Sequence, residues 1–310
     1  MAEFNYQNRR DFLKYFVGTS AVLAGLPALS KDILNKSDLV KLTILYTNDV
    51  HSRIEPFPTN DPKYANMGGF ARRSAVVETL RKENENVLLL DAGDVFQGTP
   101  YFNLYQGELE YKLMSLMKYD ATTIGNHDFD LGIDNITKQM PHANFSFINC
   151  NYDFSNTSLH DKIIPYKIFE KQGIKIGVLG YGIEFEGLVD KKMYKETIYQ
   201  NPLPIANATA KLLKLDLGCD YVIALSHLGF SYNDKKISDM SMAPQTENID
   251  LIIGAHSHTF LEHPVKLQNR VGKDIYVTQV GWAGIWLGKL DVFFANGNKK
   301  ITHNSNNRKI

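Results

Sequence analysis

Eight side chains that bind divalent metal ions or transfer protons in many proteins occur in five short segments of this 310-residue chain. The segments are TNDVHSR (47–53), LLLDAGDVFQGTP (88–100), TIGNHDFD (123–130), ALSHLG (224–229) and IIGAHSH (252–258). Their chemistry-bearing residues are Asp49, His51, Asp94, Asn126, His127, His227, His256 and His258. Imidazole nitrogens, carboxylates and an amide oxygen are the donors that two closely spaced divalent ions require.

The spacing of these residues favours a two-ion site over isolated ligands. Asp49 and His51 are two residues apart, as are His256 and His258, so both members of a pair point to the same side of an extended segment. The predicted ligands are Asp49, His51, Asp94, Asn126, His227, His256 and His258. His127, which directly follows a predicted ligand, is interpreted as a proton donor.

The donor types also indicate which metals fit. The carboxylate of Asp94 can offer one oxygen to each ion and bridge them. Imidazole-rich ligation favours Zn²⁺, Mn²⁺, Fe, Co²⁺ or Ni²⁺ over Mg²⁺ and Ca²⁺, which prefer oxygen ligands. A single histidine at a strand end is more often structural than a ligand, but five of the nine histidines lie in these segments. The remaining ones, interpreted as structural or exposed, are His142, His160, His263 and His303.

Apolar strands precede the segments along the chain. Val40–Thr47 has an alternating pattern that includes β-branched residues, which predicts a strand. Val87–Leu90 is a short apolar run that ends before Asp91. Further predicted strands are Ala121–Ile124, Phe145–Cys150, Tyr166–Phe169, Lys175–Leu179, Tyr221–Ser226, Leu251–Gly254 and strands within Ile275–Phe294. The predicted helices are Gly69–Lys82, Glu108–Lys118 and Asn207–Leu215. Because loops that leave one edge of an open α/β sheet converge, the site is expected at the C-terminal ends of these strands.

Two local predictions concern a helix face and the C-terminus. In the helix Gly69–Lys82, the residues expected on the core-facing side are Ala71, Ala75, Val76, Thr79 and Leu80. Asn296-Gly297 is a hairpin turn signal. The polar tail 299–310 follows it, and Asn304–Ile310 is expected to fray.

Composition restricts the class of protein. The chain is 44% hydrophobic and 22% charged, as in an ordinary globular domain, and residues 40–295 contain no linker, so a single α/β domain over residues 40–298 is predicted. The formal net charge is zero, which argues against a nucleic-acid polymer as partner. Cys150 and Cys219 lie in apolar strand-like surroundings and are expected to be thiols.

The N-terminal segment has the layout of an export signal. Arg9-Arg10 precedes Asp11-Phe12-Leu13-Lys14, a mildly apolar stretch and the small-residue site Ala28-Leu29-Ser30. The twin arginine resembles the motif of the twin-arginine export pathway, although Asn8 stands where Ser or Thr is usual. Residues 1–30 are therefore predicted to be a signal peptide and residues 31–39 a polar joint. The expected location is periplasmic or in the cell envelope, with no stable membrane span after the signal is removed. The alternative is an ordinary amphipathic helix.

The five segments, in this order, resemble those of the calcineurin-like metallophosphoesterase superfamily. The strings TNDVHSR, LLLDAGDVFQGTP and GNHDFD more narrowly resemble the catalytic domain of the 5′-nucleotidase family, and the resemblance runs from about Leu42 to about Phe294. It implies an αββα sandwich in which two mixed sheets are flanked by helices. The 5′-nucleotidase family often has Gln or Asn at the position of His258, which loosens the substrate assignment.

The resemblance implies a division of the ligands between two ions. One ion would be held by Asp49, His51, Asp94 and His258, and the other by Asp94, Asn126, His227 and His256. A metal-activated hydroxide would attack phosphorus in line, without a phosphoenzyme intermediate. His127 would protonate the leaving group, oriented by Asp130 rather than by Asp128. Asn126 and His127 would also bind the substrate.

The expected function is hydrolysis of nucleotides or other phosphomonoesters by an exported phosphoric ester hydrolase. In the 5′-nucleotidase family a second domain usually follows and recognises the nucleotide. This chain stops at Ile310, so a separate C-terminal-domain protein is an expected partner. One alternative is a phosphodiesterase or pyrophosphatase acting on 2′,3′-cyclic nucleotides or nucleotide sugars. A metal-free binding module is the other, although it would be expected to lack a ligand or the acid, and none is lost.

Overall fold

The structure is a computed structural model that describes residues 39–295 and 299–310 of the chain. The predicted signal peptide, the polar joint up to residue 38 and the turn signal Asn296-Gly297 lie outside the described residues. The described residues belong to one compact unit. None of the helices among them is long and apolar enough to cross a membrane.

Short strands alternate with short helices, as the sequence predicts. The strands are β1 Val40–Thr47, β2 Val87–Asp91, β3 Ala121–Thr122, β4 Ser146–Phe147, β5 Tyr152–Asp153, β6 Tyr166–Lys171, β7 Ile174–Gly182, β8 Ile198–Tyr199, β9 Tyr221–His227, β10 Leu251–Ile253, β11 Val265–Gln268, β12 Asp274–Thr278, β13 Trp286–Ala295, β14 Lys299–Ser305 and β15 Arg308–Lys309. The α-helices are α1 Phe70–Glu83, α2 Pro100–Tyr105, α3 Glu108–Leu116, α4 Ile133–Gln139, α5 Lys191–Tyr194, α6 Pro202–Lys211 and α7 Asp239–Met242.

The strands form two mixed sheets and a small two-stranded one. The first sheet has the order β14-β13-β1-β2-β3-β4, with β15 also paired to β13. Its strands β1, β2, β3 and β4 run parallel, whereas β13 is antiparallel to β1. The second sheet has the order β11-β12-β10-β9-β7-β6, in which β7, β9, β10 and β12 run parallel and the edge strands β6 and β11 are antiparallel. Strands β5 and β8 pair separately.

The two large sheets pack face to face through alternating side chains. In β1, Leu42, Ile44 and Tyr46 are fully buried in the cluster between the sheets, whereas Leu45 points to the opposite face. This alternation follows from the two-residue period of a strand, which sends successive side chains to opposite faces. The second sheet contributes to the same cluster through residues such as Ile223 on β9.

Helices cover the two outer faces. Helix α1 packs Val77 and Leu80 on the first sheet, and helix α6 packs Ala206 and Ala210 on the second. The order of layers is therefore helix, sheet, sheet, helix, and the predicted αββα sandwich in a single domain is confirmed. Cys150 and Cys219 are free thiols, as predicted.

Two local predictions are wrong. The residues that α1 buries are Phe70, Arg73, Val77 and Leu80, so of the predicted core face only Leu80 is buried. The physical reason is the buried guanidinium of Arg73, which stacks 4.1 Å from the ring centre of Phe70. The tail does not fray, because β14 and β15 both pair with β13.

Candidate metal centre

Every predicted ligand lies at the C-terminal end of a strand. Segments after β1, β2 and β3 of the first sheet carry the first three motifs, and segments at the ends of β9 and β10 of the second sheet carry the last two. His227 is itself the last residue of β9. Because parallel strands deliver their C-terminal ends to one edge, ligands far apart in sequence meet there, as the sequence predicts.

Five of the seven predicted ligands have a left-handed backbone. Their φ angles are 48° at Asp49, 49° at His51, 55° at Asp94, 70° at His256 and 53° at His258. This conformation costs about 1–2 kcal/mol for an L-residue, and such strain is concentrated at functional sites. The strand ends and neighbouring hydrogen bonds must therefore hold these loops in place.

Glycines allow the ligand loops to approach one another closely. Gly93 has φ of +91°, and a Cβ atom there would lie 2.6 Å from the backbone nitrogen of Gly125 and 2.9 Å from Nδ1 of His227. A Cβ atom on Gly125 would lie 2.2 Å from Oδ1 of Asp94. Any larger residue at either position would displace a predicted ligand.

The first ligand cluster, called here the His258 group, consists of Asp49, His51 and His258. Their donor atoms lie within 4.8 Å of one another. Nε2 of His51 is 3.0 Å from Nε2 of His258, which in turn is 3.6 Å from Oδ1 of Asp49. A metal ion among these three atoms would have two imidazoles and one carboxylate as ligands.

The second cluster, called here the His256 group, consists of Asp94, His227 and His256, whose donor atoms also lie within 4.8 Å of one another. Nε2 of His227 is 3.1 Å from Oδ2 of Asp94. Oδ1 of Asn126 is 2.7 Å from Nδ1 of His256, so the predicted amide ligand joins this group. The described residues thus contain two clusters of candidate donors, and the division of the ligands between two ions stays a prediction.

Asp94 connects the two groups. Its Oδ2 atom lies 3.1 Å from Nε2 of His227 in the His256 group and 3.9 Å from Nε2 of His51 in the His258 group. Its Oδ1 atom accepts a hydrogen bond of 2.8 Å from the backbone N–H of His127. This orientation fits a bridging carboxylate.

The protonation states of the histidines in the two groups also fit binding of divalent cations. Burial lowers the pKa of His256 to about 3 and that of His258 to about 4, so both rings are neutral and keep a lone pair for a metal. Burial also acts to lower the pKa of His227, but the negative charges of Asp94 and Asp49 raise it to about 10, so a positive charge is favoured at the centre. Nε2 of His227 is buried and makes no geometrically acceptable hydrogen bond within the described residues. Such an orphaned nitrogen beside a carboxylate fits a metal ligand.

His127 and Asp130 form a pair beside the metal groups. Nδ1 of His127 lies 3.0 Å from Oδ2 of Asp130, and both side chains are partly exposed. The hydrogen bond with Asp130 raises the pKa of His127 above its ordinary value. Of the two candidate partners considered from the sequence, Asp130 is the one that contacts the ring.

Asp128 has a structural function that sequence reasoning missed. Its buried carboxylate accepts hydrogen bonds from four backbone N–H groups: Asp94 at 3.1 Å, Val95 at 3.0 Å, Phe96 at 3.1 Å and Gly125 at 2.8 Å. It thereby fixes the loop of Asp94 against the loop that carries Asn126. The signal was available in the string Gly-Asn-His-Asp, which contains an acid with no predicted role.

A second missed element is the segment 280–285, which contains no metal-ligand residue types. The backbone N–H of Ala283 donates to the carbonyl of Asp49 at 2.7 Å. Asn48 makes two hydrogen bonds with the same segment. Its Nδ2 donates to the carbonyl of Gly281 at 2.6 Å, and its Oδ1 accepts from the N–H of Val280 at 2.9 Å. The segment therefore supports the loop that carries Asp49 and His51.

Comparisons with known proteins show the family of the chain. The calcineurin-like phosphoesterase family model matches residues 42–260. A snake venom 5′-nucleotidase from Crotalus adamanteus is 32% identical over 295 residues, covering 86% of this chain and 47% of the relative. A 5′-nucleotidase precursor from Thermus thermophilus has a TM-score of 0.79 at 29% identity, covering 87% of this chain and 55% of that one. An NAD nucleotidase from Haemophilus influenzae has a TM-score of 0.77 at 27% identity, covering 88% and 56%.

The chain spans about half the length of the curated relatives it matches, with 47% coverage of the Crotalus protein. The region matched by the family model contains all five segments and more than half of the chain. The predicted class, a metal-dependent phosphoester hydrolase, is confirmed at the level of the family. The chain belongs to the calcineurin-like phosphoesterase family.

Proposed function

We propose that this chain hydrolyses phosphomonoesters with two bound divalent ions, and that nucleotides are its substrates. The observation that carries the proposal is the position of Asp94, whose Oδ2 atom faces His227 at 3.1 Å and His51 at 3.9 Å. One carboxylate between two imidazole-containing groups is the arrangement that a dinuclear hydrolase needs. The names of the relatives, two of them 5′-nucleotidases, support nucleotides as the substrate class.

The ligands divide between the ions as follows in this proposal. One ion would be held by Asp49, His51, Asp94 and His258, and the other by Asp94, Asn126, His227 and His256. Bound Zn²⁺, Mn²⁺, Fe, Co²⁺ or Ni²⁺ would supply the acidity that activates a water for in-line attack and would neutralise the phosphoryl oxygens. Imidazole donors favour these metals over Mg²⁺ and Ca²⁺.

His127 is the proposed general acid, and it also contacts the substrate together with Asn126. The partly exposed ring lies next to Asn126, with Nδ1 bonded to Asp130 at 3.0 Å. That bond orients the ring and leaves Nε2 free to hold the proton that the leaving oxygen takes. A positioned acid of this kind contributes about 10²–10⁴ in rate.

A second candidate function is cleavage of a diphosphate or phosphodiester bond. It is favoured by the similarity to a protein named NAD nucleotidase, whose named substrate contains a diphosphate. 2′,3′-Cyclic nucleotides and nucleotide sugars belong to the same candidate set. The same two-ion geometry serves monoesters and diesters, so the substrate panel described below separates them.

Export and a partner chain complete the proposal. The twin arginine at Arg9-Arg10 supports transport to the periplasm or cell envelope. A separate protein of the nucleotidase C-terminal-domain type is the proposed partner, since the relatives extend well beyond the matched region. Co-purification of such a protein, together with faster nucleotide turnover in its presence, would support the partner. Unchanged turnover would argue against it.

The testing experiment measures phosphate release from AMP, and it measures cleavage of UDP-glucose and of a 2′,3′-cyclic nucleotide by separating the nucleotide products. The purified full chain is stripped with a chelator and then supplied with Mn²⁺ or Zn²⁺. We expect AMP turnover to disappear and return with the metal. Chelator-resistant turnover, or none with any metal, would contradict the proposal, and a metal-free binding module would then be the better description. The matched control is His142→Ala, a histidine outside the five segments, which should behave as wild type.

A further inference from the structure

Trp282 lies in the segment 280–285 and has no assigned role. Its ring stacks on that of the predicted ligand His258, with centroids 5.5 Å apart and planes inclined by 5°. We propose that Trp282 is a positioning residue that holds the imidazole of His258 in the orientation needed to bind metal. The inference rests on the ligand assignment made under the proposed function.

Two other histidines of the site, His227 and His51, show what His258 lacks. A ligating histidine nearly always bonds its second ring nitrogen to a carbonyl or carboxylate, which fixes the orientation of the ring. Nδ1 of His227 lies 2.8 Å from the carbonyl oxygen of Ala92, and Nδ1 of His51 lies 3.3 Å from that of Phe96. Within the part of the chain that the structure describes, Nδ1 of His258 has no such partner, and its side chain is 39% exposed. The stacked indole is the contact that replaces the missing hydrogen bond.

Trp282 is itself held in place from two sides. Its ring meets the rings of Phe57 and Tyr64 edge to face, with centroid distances of 5.7 and 6.0 Å. Ala283, the next residue, donates its N–H to the carbonyl of Asp49. The segment that positions the indole is therefore tied to a loop carrying two other ligands of the same ion. An indole fixed in this way can fix a ring that stacks on it.

The residues on either side of Trp282 allow the sharp bend that places the indole beside His258. Gly281 and Gly284 have φ of 76° and 61°, and Ala283 between them has φ of 56°. Three left-handed residues in a row of four bend the chain sharply, and Ala283, unlike the two glycines, adopts this conformation at an energetic cost. The bend places the indole beside the His258 group and its neighbour Ala283 beside Asp49.

The experiment titrates metal-free full chain with Zn²⁺ or Mn²⁺ in competition with a chromophoric chelator. We expect Trp282→Ala to bind one ion with wild-type affinity and the other about 10–100-fold more weakly, as for other residues that orient a ligand. Trp282→Phe keeps a flat ring and should lose less. Trp286→Ala is the matched control, because this second tryptophan packs on Phe260 instead of a ligand, with a centroid distance of 5.0 Å. It should bind both ions normally.

Fluorescence gives a second readout that does not depend on the folding of Trp282→Ala. The chain has two tryptophans, so Trp286→Phe leaves Trp282 as the sole indole. Its emission should change as Mn²⁺ binds, and the change should be lost when His258→Ala is added. Tryptophan emission that stays unchanged while two ions bind would overturn the inference.

Two other results would also overturn it: wild-type affinity for both ions in Trp282→Ala, or an equal loss at both sites. These failures differ from failure of the proposed function. If the wild-type chain binds fewer than two ions, the dinuclear proposal itself is wrong. If the wild-type chain binds two ions and Trp282→Ala does so equally well, only the role of Trp282 is wrong.

Discussion

The two ligand groups are anchored in different ways. In the His256 group, His227 is the fully buried last residue of β9, and its Nδ1 atom bonds to the carbonyl of Ala92. In the His258 group, all three ligands lie in loops with a left-handed backbone, and His258 is steadied by an indole. A strand end positions a ligand through the sheet itself, whereas a loop ligand needs support from other segments. We therefore expect the His256 group to bind its ion more tightly and to release it more slowly.

The largest effect should come from removing the residue that both groups share. Asp94→Ala deletes the carboxylate that lies 3.1 Å from Nε2 of His227 in one group and 3.9 Å from Nε2 of His51 in the other. We expect the purified variant to bind fewer than two ions and to release phosphate from AMP at the background rate. Elemental analysis and the phosphate assay measure both quantities. Two ions bound at wild-type affinity would refute the bridging role.

Removing one ligand from each group should sharpen the contrast between the two. His256→Ala affects the group that contains the strand-end ligand His227, and His258→Ala affects the group whose ligands all lie in loops. We expect His258→Ala to keep one tightly bound ion and to recover activity partly in excess Mn²⁺. His256→Ala should lose the tighter ion and recover less. Equal losses of affinity in the two variants would show that the anchoring makes no difference.

Removing the proposed proton donor, which lies outside both ligand groups, should lower the rate of hydrolysis without changing the metal content. We expect His127→Ala to lose about 10²–10⁴ in kcat and to retain both ions. Loss of metal in proportion to activity would mean that His127 is a ligand instead.

The pH profile of kcat tests whether Asp130 is the partner of His127, and the expected effect is smaller than the loss of rate in His127→Ala. The hydrogen bond with Asp130 raises the pKa of His127, and an acid catalyst loses activity as pH rises through its pKa. Asp130→Asn should therefore move the alkaline limb of the kcat profile to lower pH. An unmoved limb would contradict the assignment. Asp134→Asn, in an exposed ion pair with Lys195, is a suitable control.

The smallest effect should be on stability and should arise from Asp128. Its carboxylate accepts hydrogen bonds from four backbone N–H groups, and Asn would direct an amide N–H₂ at some of them. We expect Asp128→Asn to lower the free energy of unfolding of the metal-free chain by about 1–3 kcal/mol, measured by urea denaturation. A neutral result would mean that the loops of Asp94 and Gly125 are held by other contacts.

The sequence predicted what depends on local pattern. The bounds of β1, Val40–Thr47, agree with the structure, and the ligands meet because each follows a strand of predictable direction. The buried face of α1 was mispredicted because the guanidinium of Arg73 is buried, and the helical spacing of apolar residues does not predict a buried arginine. The pairing of the tail with β13 was missed because composition alone carries no information about a distant partner strand. Trp282 was missed because a tryptophan has no metal-ligand chemistry of its own.

The left-handed backbone of five predicted ligands has a consequence for mutational tolerance. Asn, Asp and His are enriched several-fold in this conformation among residues other than glycine, so backbone and metal select the same residue types. A saturation library scored for folding alone should therefore favour Asn, Asp, His and Gly at Asp49, His51, Asp94, His256 and His258. β-Branched residues should be the least tolerated there, even though no metal is needed for that screen. Local geometry would thus preserve the composition of the site in sequences that had lost the activity.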